Sequence, residues 1–219
     1  MSAIDFIGGW GGRAQSYDEI VSAARRMLTA MPADPAGRWV RFVERPGSQL
    51  MDAVTVDVDD SASLGAAVEL ISRRGDRHEL RISRQAGPED VPISVRVKAG
   101  SEHSDNRIVI SVELPEPDAA TLIPGYMSAM ISAWNPDWLK AGTYEFHVAQ
   151  KDIGLQPTEI AFGWRTYLAD LVPFDPAVAV EAGVTVTAVD GGRYVTLAGT
   201  PVDPDLDQAA VVRRALGYG

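Results

Sequence analysis

Gly9, Gly11 and Ala14 fit G-x-G-x-x-A within the stretch GGWGGRA, which raises dinucleotide chemistry first. In that chemistry the glycines let backbone N–H groups approach a pyrophosphate at the start of a helix. The neighbours argue against it. Trp10 places an indole where phosphate needs close approach, and the helix that follows opens with Asp18 and Glu19, which repel phosphate. No clear second parallel strand ends in an acid about 20 residues further on. A structural glycine turn is the better account, and a nucleotide-binding enzyme using residues 8–14 is the alternative.

His78, His103 and His147 are isolated, without H-x-H or H-x-x-x-H spacing, so no metal site is expected. SEHSDN gathers Ser, His and Asp within a few residues. Nucleophilic triads assemble from distant segments, and nothing here resembles a nucleophile elbow, so a solvated loop is expected. Asp57, Asp59 and Asp60 would suit a cation or an acid–base pair, yet the fixed Gly and distal Glu of a calcium loop are missing. A helix N-terminal cap is the default for them, and a patch for a basic partner comes second. Glu113, Glu116 and Asp118 form a second acidic set, and both sets precede predicted helices. Arg96, Lys98 and Arg107 read as the solvated face of a sheet. No catalytic residue and no cofactor is assigned.

The elements that must position these residues follow from periodicity. AIDFIG suggests a first strand, and SYDEIVSAARRMLTAM a helix with capping-box spacing at Ser16 and Glu19. DPAGRWVRFVERPG is read as a short helix carrying Trp39 and Phe42, and DVDDSASLGAAVELISRRG as a second helix closed at Gly75. ISVRVKAG and RIVISVELP alternate with period two, joined by SEHSDN as an antiparallel hairpin. PDAATLIPGYMSAMISAW reads as a helix with Pro124 in it or dividing it. YEFHVA reads as a strand, and IAFGWRTYLADL as strand or strand plus turn. GVTVTAVDGGRYVTLAG is a hairpin about Asp190-Gly191-Gly192, and DPDLDQAAVVRRALG closes with a helix. No βαβ rhythm links them. The expected fold is α+β, one domain over residues 1–219, with an antiparallel sheet of at least four strands and helices packed on it.

Composition narrows the partners. A net charge of −10 and a pI of about 4.7 repel phosphate backbones, so direct nucleic-acid binding is not expected. The same field steers in a basic protein partner. The chain has no cysteine, which removes thiolate metal sites and Cys nucleophiles and fits a reducing compartment. No apolar run approaches the ~20 residues of a membrane span, so no membrane partner is expected. MSAIDFIGG lacks the basic and long apolar regions of a signal peptide, and a cytoplasmic location is expected.

Several stretches, in order, carry a resemblance: WGGR at Trp10–Arg13, NRIVISVELP at Asn106–Pro115, AWNPDW at Ala133–Trp138 and GWRTYL at Gly163–Leu168. The Gly191-Gly192 hairpin and the VDPDLDQ helix complete the set. The chain resembles the immunity protein 52 family of bacterial polymorphic toxin systems. The resemblance implies an α+β protein encoded beside a secreted toxin, delivered by type VI or other secretion systems. It implies as partner a toxin of the restriction-endonuclease-like nuclease fold, neutralised by protein–protein binding. The matching positions are Trp10, Gly11, Arg13, Trp134, Pro136, Asp137, Trp138, Gly163, Trp164 and Tyr167, for which a structural role is expected because toxin-reading surfaces diversify. Residues 43–104 match poorly, and partner specificity is expected there. Asp57, Asp59 and Asp60, with Glu113, Glu116 and Asp118, are the candidate toxin-binding residues. Trp134 and Trp164 are expected to be largely buried, with Asn135-Pro136 stopping the helix. An acidic adaptor without a toxin partner is a further alternative.

Overall fold

The computed structural model describes residues 2–32, 38–71, 75–84 and 92–218. Along the chain the elements are β1 (Ser2–Trp10), α1 (Tyr17–Ala30), β2 (Trp39–Glu44), β3 (Met51–Val56), α2 (Ser61–Gly65) and β4 (Val68–Leu70). Next come β5 (His78–Arg84), β6 (Ile93–Ala99), β7 (Asn106–Leu114), α3 (Glu116–Trp134), β8 (Trp138–Gly142) and α4 (Tyr144–Asp152). The last are β9 (Arg165–Ala169), α5 (Pro176–Glu181), β10 (Thr185–Val189), β11 (Gly192–Thr196) and α6 (Leu206–Ala215).

The strands form one 11-stranded sheet in the order β10-β11-β9-β8-β1-β7-β6-β5-β2-β3, with β4 beside β5. Its pairings among the described residues are all antiparallel. The expected α+β class with an antiparallel sheet is what the chain adopts. The first strand read from AIDFIG lies inside the sheet, between β7 and β8.

Alternation along the strands divides side chains between two faces. On the first face Ile4, Phe6, Trp10, Ile108 and Ile110 are buried with α1 and α3, through Met27, Leu28, Met130 and Trp134. Ser16 starts α1: its hydroxyl accepts the Glu19 N–H, and the Glu19 carboxylate accepts the Ser16 N–H at 2.7 Å. On the second face, at the β9–β11 end, Leu168 and Val195 are buried with α4, α5 and α6 through Phe146, Ala179 and Val212. The helices therefore cover opposite faces of opposite halves. On the second face of β5, β6 and β7, residues Arg81, Ser94, Arg96 and Arg107 remain exposed.

Three expected elements differ. Trp39 and Phe42 lie on β2 rather than a helix, because Trp39 and Val56 pair across to β3 and both reach the core. Residues 34–37 of that stretch lie outside the described set. The second helix ends at Gly65 instead of Gly75; Val68–Leu70 instead pairs with β5, and residues 72–74 are outside the described set. YEFHVA is a helix, α4. The Thr143 side chain caps it by accepting the Phe146 N–H at 3.2 Å, and Gln150 is buried on its inner side. Period two and period 3.6 cannot be separated over six residues, and the cap decides.

Candidate functional site

WGGR, Asn106 and AWNPDW meet at one end of β1, and GWRTYL joins them through the pairing of Leu168 with Trp138. Trp10 stacks on Trp134 with centroids 5.8 Å apart, and the Trp134 indole N–H donates to Met27 Sδ at 3.2 Å. The Arg13 guanidinium donates to the Trp134 and Asn135 carbonyls, both at 3.2 Å, closing the end of α3. Asn135 takes a left-handed φ of 46° and so ends the helix, and the following Pro136 disfavours a helical conformation there. Asp137 then ties three strands. Its carboxylate accepts the Gly11 N–H, its own N–H donates to the Gly9 carbonyl, and its carbonyl accepts the Ala169 N–H, each at 2.9 Å. Gly163 packs on the Ala141 backbone, and its N–H donates to Thr166 Oγ1 at 3.0 Å. Tyr167 donates its hydroxyl to the Gly191 carbonyl of the β10–β11 turn at 3.0 Å. Trp134 is 1% exposed, whereas Trp164 is only partly buried. In the Gly-rich stretch, Gly9 lies within an antiparallel strand, and the Gly11 N–H is taken by Asp137.

The second face of the sheet forms a groove of about 1080 Å³ beside this knot. Register builds its floor. One cross-strand row runs Lys98, Arg107, Gly9, Trp138; from the next, Ile7 and Lys140 line the groove while Arg96 and Val109 lie beyond it. Gly9 is bare because the Trp138 indole lies across it: a Cβ there would sit 3.0 Å from the ring. The far wall is α4 and residues 155–161. Buried Gln150 holds that wall, donating to the Phe162 carbonyl at 2.7 Å and accepting the Phe162 N–H at 3.0 Å. Arg213 of α6 holds it too, donating to the Gly154 carbonyl at 2.9 Å and the Glu159 carboxylate at 2.7 Å.

The groove is basic within an acidic chain. Arg77, Lys98, Arg107, Lys140 and Lys151 line it, against Asp105, Asp137 and Glu159. Lys140 is 5% exposed, and its Nζ lies 3.3 Å from His147 Nδ1. Burial lowers the Lys140 ammonium to about 8; Asp5 opposes this, and Arg107 and Lys151 add to it. Burial, then Lys140, Lys151 and Arg107, lower His147 to about 4. At neutral pH the imidazole is thus uncharged, and Nδ1 accepts from the ammonium.

Of the acidic candidates, Asp57, Asp59 and Asp60 sit together between β3 and α2, and all three are exposed. Asp57 accepts the Asp59 N–H and Asp60 accepts the Ala62 N–H, each at 2.9 Å, so both serve the turn and the cap. Asp59 lies 3.9 Å from Arg25 of α1. Glu113 is the penultimate residue of β7, while Glu116 and Asp118 occupy the first turn of α3. These three are exposed as well, and neither set lines the groove. Arg96 is tied to Glu79 on the open face; Lys98 and Arg107 line the groove, Lys98 with its Nζ 3.9 Å from the same Glu79 carboxylate. Lys140, His147 and Lys151 were not singled out as site residues. His147 and Lys151 share a face one turn apart only when YEFHVAQK is read as a helix.

No family model and no curated protein matches the chain. Among solved structures, a T6SS protein of Pseudomonas aeruginosa is similar, with a TM-score of 0.55 at 12% identity over 99% of this chain and 73% of that one. At that identity the likeness is one of fold. Among the described residues no helix is long and apolar enough to cross a membrane.

Proposed function

We propose that this chain is an immunity protein that binds and neutralises a cognate secreted toxin, a nuclease of the restriction-endonuclease-like fold, by occluding it. The observation that carries this reading is the likeness in fold, along 99% of the chain, to a protein of a T6SS. The motifs shared with the immunity protein 52 family add support. WGGR, AWNPDW and GWRTYL are far apart in sequence, yet in this chain they adjoin one another, through the contacts of Arg13 and Asp137 and the pairing of Leu168 with Trp138. Shared motifs that build a scaffold leave the rest of the surface free to diversify toward one partner. Nuclease active-site grooves are generally basic, so an acidic inhibitor of charge −10 competes with the phosphate backbone and is steered onto them. Asp57, Asp59 and Asp60, or Glu113, Glu116 and Asp118, are the groups we assign to that contact.

The test is co-expression with the toxin-like product of the adjacent gene. Protection of growth, with loss of the toxin's nuclease activity on adding the purified protein, is the expected outcome. A toxin that kills and cleaves DNA equally well in its presence overturns the reading.

A further inference from the structure

We infer that the groove on the second sheet face is a docking site for an acidic, extended polypeptide segment of a partner protein. Lys98, Arg107, Lys140 and Lys151 would receive its carboxylates, and Trp138 with Ile7 its apolar side chains. This site is separate from the acidic sets assigned to the toxin, and it holds whatever the partner's activity.

Charge complementarity carries the inference. Arg107 and Lys151 make no ion pair within 4.0 Å with a described residue, although the chain has 30 acidic residues against 20 basic ones. Two of the three lining carboxylates are already engaged: Glu159 by Arg213, and Asp137 by the Gly11 N–H. Asp105 is exposed. Lys140 is buried as a cation beside a neutral imidazole, and the one anion acting on it, Asp5, offsets only part of the cost of its burial. A carboxylate brought into the groove would remove that cost.

Shape selects a polypeptide. The groove, at about 1080 Å³, is an open trough across several strands with room for several residues of chain. From Lys98 on β6 to Trp138 on β8 is three strand spacings, about 14 Å, or four to five residues of extended chain. An extended segment sends alternate side chains to opposite sides, which suits cations on one flank and Trp138 on the other. A nucleic acid fits poorly, because the rest of the surface repels phosphate. The wall is already fixed by Gln150 and Arg213, so little ordering remains to oppose binding.

The test is fluorescence anisotropy with a labelled peptide of about eight residues alternating Glu and Leu, alongside its Gln analogue and inorganic phosphate as competitor. We expect the Glu peptide to bind at low salt and the Gln analogue to bind at least ~10-fold more weakly, as for the loss of about one charged hydrogen bond. Arg107→Gln and Lys151→Gln should each weaken binding several-fold with unchanged melting temperature. Arg214→Gln, which removes an exposed charge on α6 outside the groove, should leave it unchanged. Equal binding of the two peptides overturns the inference, as does equal weakening by Arg214→Gln, which would mean diffuse attraction. Phosphate binding without peptide binding overturns it in favour of a small-anion site. Because the probe is synthetic, its failure leaves toxin neutralisation standing, and a toxin that is not neutralised leaves this test unaffected.

Discussion

Replacing Lys140 by Met should stabilise the protein near neutral pH, an unusual result for a change at a 5%-exposed position. Burial holds the ammonium at about 8 instead of 10.5. At 1.36 kcal/mol per tenfold, that lowering corresponds to roughly 3 kcal/mol of native-state penalty while the group is charged. Losing the contact to His147 Nδ1 returns about 1 kcal/mol, so the net gain is roughly 2 kcal/mol, or roughly 4–8 °C in melting temperature for a chain of this size. The pH dependence gives the sharper signature. Below about 8 both folded and unfolded chains carry the proton, and the full penalty is present. Between about 8 and 10.5 the folded chain releases its proton first, so the parent gains stability as pH rises. The advantage of Lys140→Met should therefore narrow between pH 8 and pH 10. Urea unfolding of both proteins at pH 7, 8, 9 and 10 measures it. A variant less stable than the parent at pH 7, or a gap that does not narrow, refutes the reasoning.

Trp134→Ala removes a side chain packed between Trp10 and Met27 and should cost roughly 3–5 kcal/mol in urea unfolding; a variant that stays fully stable yet releases the toxin would make Trp134 an interface anchor instead. Gly9→Ala places a Cβ 3.0 Å from the Trp138 ring, so it should destabilise by roughly 1–3 kcal/mol and shift tryptophan fluorescence. An unchanged spectrum would mean the indole does not lie across Gly9. Asp57→Asn with Asp59→Asn, and separately Glu113→Gln with Glu116→Gln, should leave melting nearly unchanged. At least one pair should slow toxin association at low salt, with the difference fading as salt rises. Parent-like rates for both pairs at every salt concentration would remove both acidic sets from the interface.

The sheet was legible wherever side chains alternated strictly. β6 and β7 each carry a core-facing and an outward-facing series, the Asp190-Gly191-Gly192 turn marked β10 and β11, and Ser16 with Glu19 announced α1. Short apolar runs without that alternation misled. Val68–Leu70 lies within a helical pattern, but its pairing to β5 is a tertiary fact. YEFHVA has both periods, and Thr143, outside the quoted run, settles it. The groove was hidden for the same reason. Its cations come from β6, β7, β8 and α4, and only the register across β1 brings Lys98, Arg107, Lys140 and Lys151 to one face. The resemblance motifs were visible one by one, but not the contacts of Asp137 that join them.

The central claim is that this chain recognises and neutralises a toxin by direct binding. The most direct measurement is isothermal titration calorimetry of the purified protein against the proposed toxin, the product of the adjacent gene, with DNA cleavage followed on the same mixtures. The account predicts saturable binding, with cleavage falling in step with the fraction bound. A toxin that shows no heat of binding and cleaves DNA at its full rate with the protein in excess would contradict it.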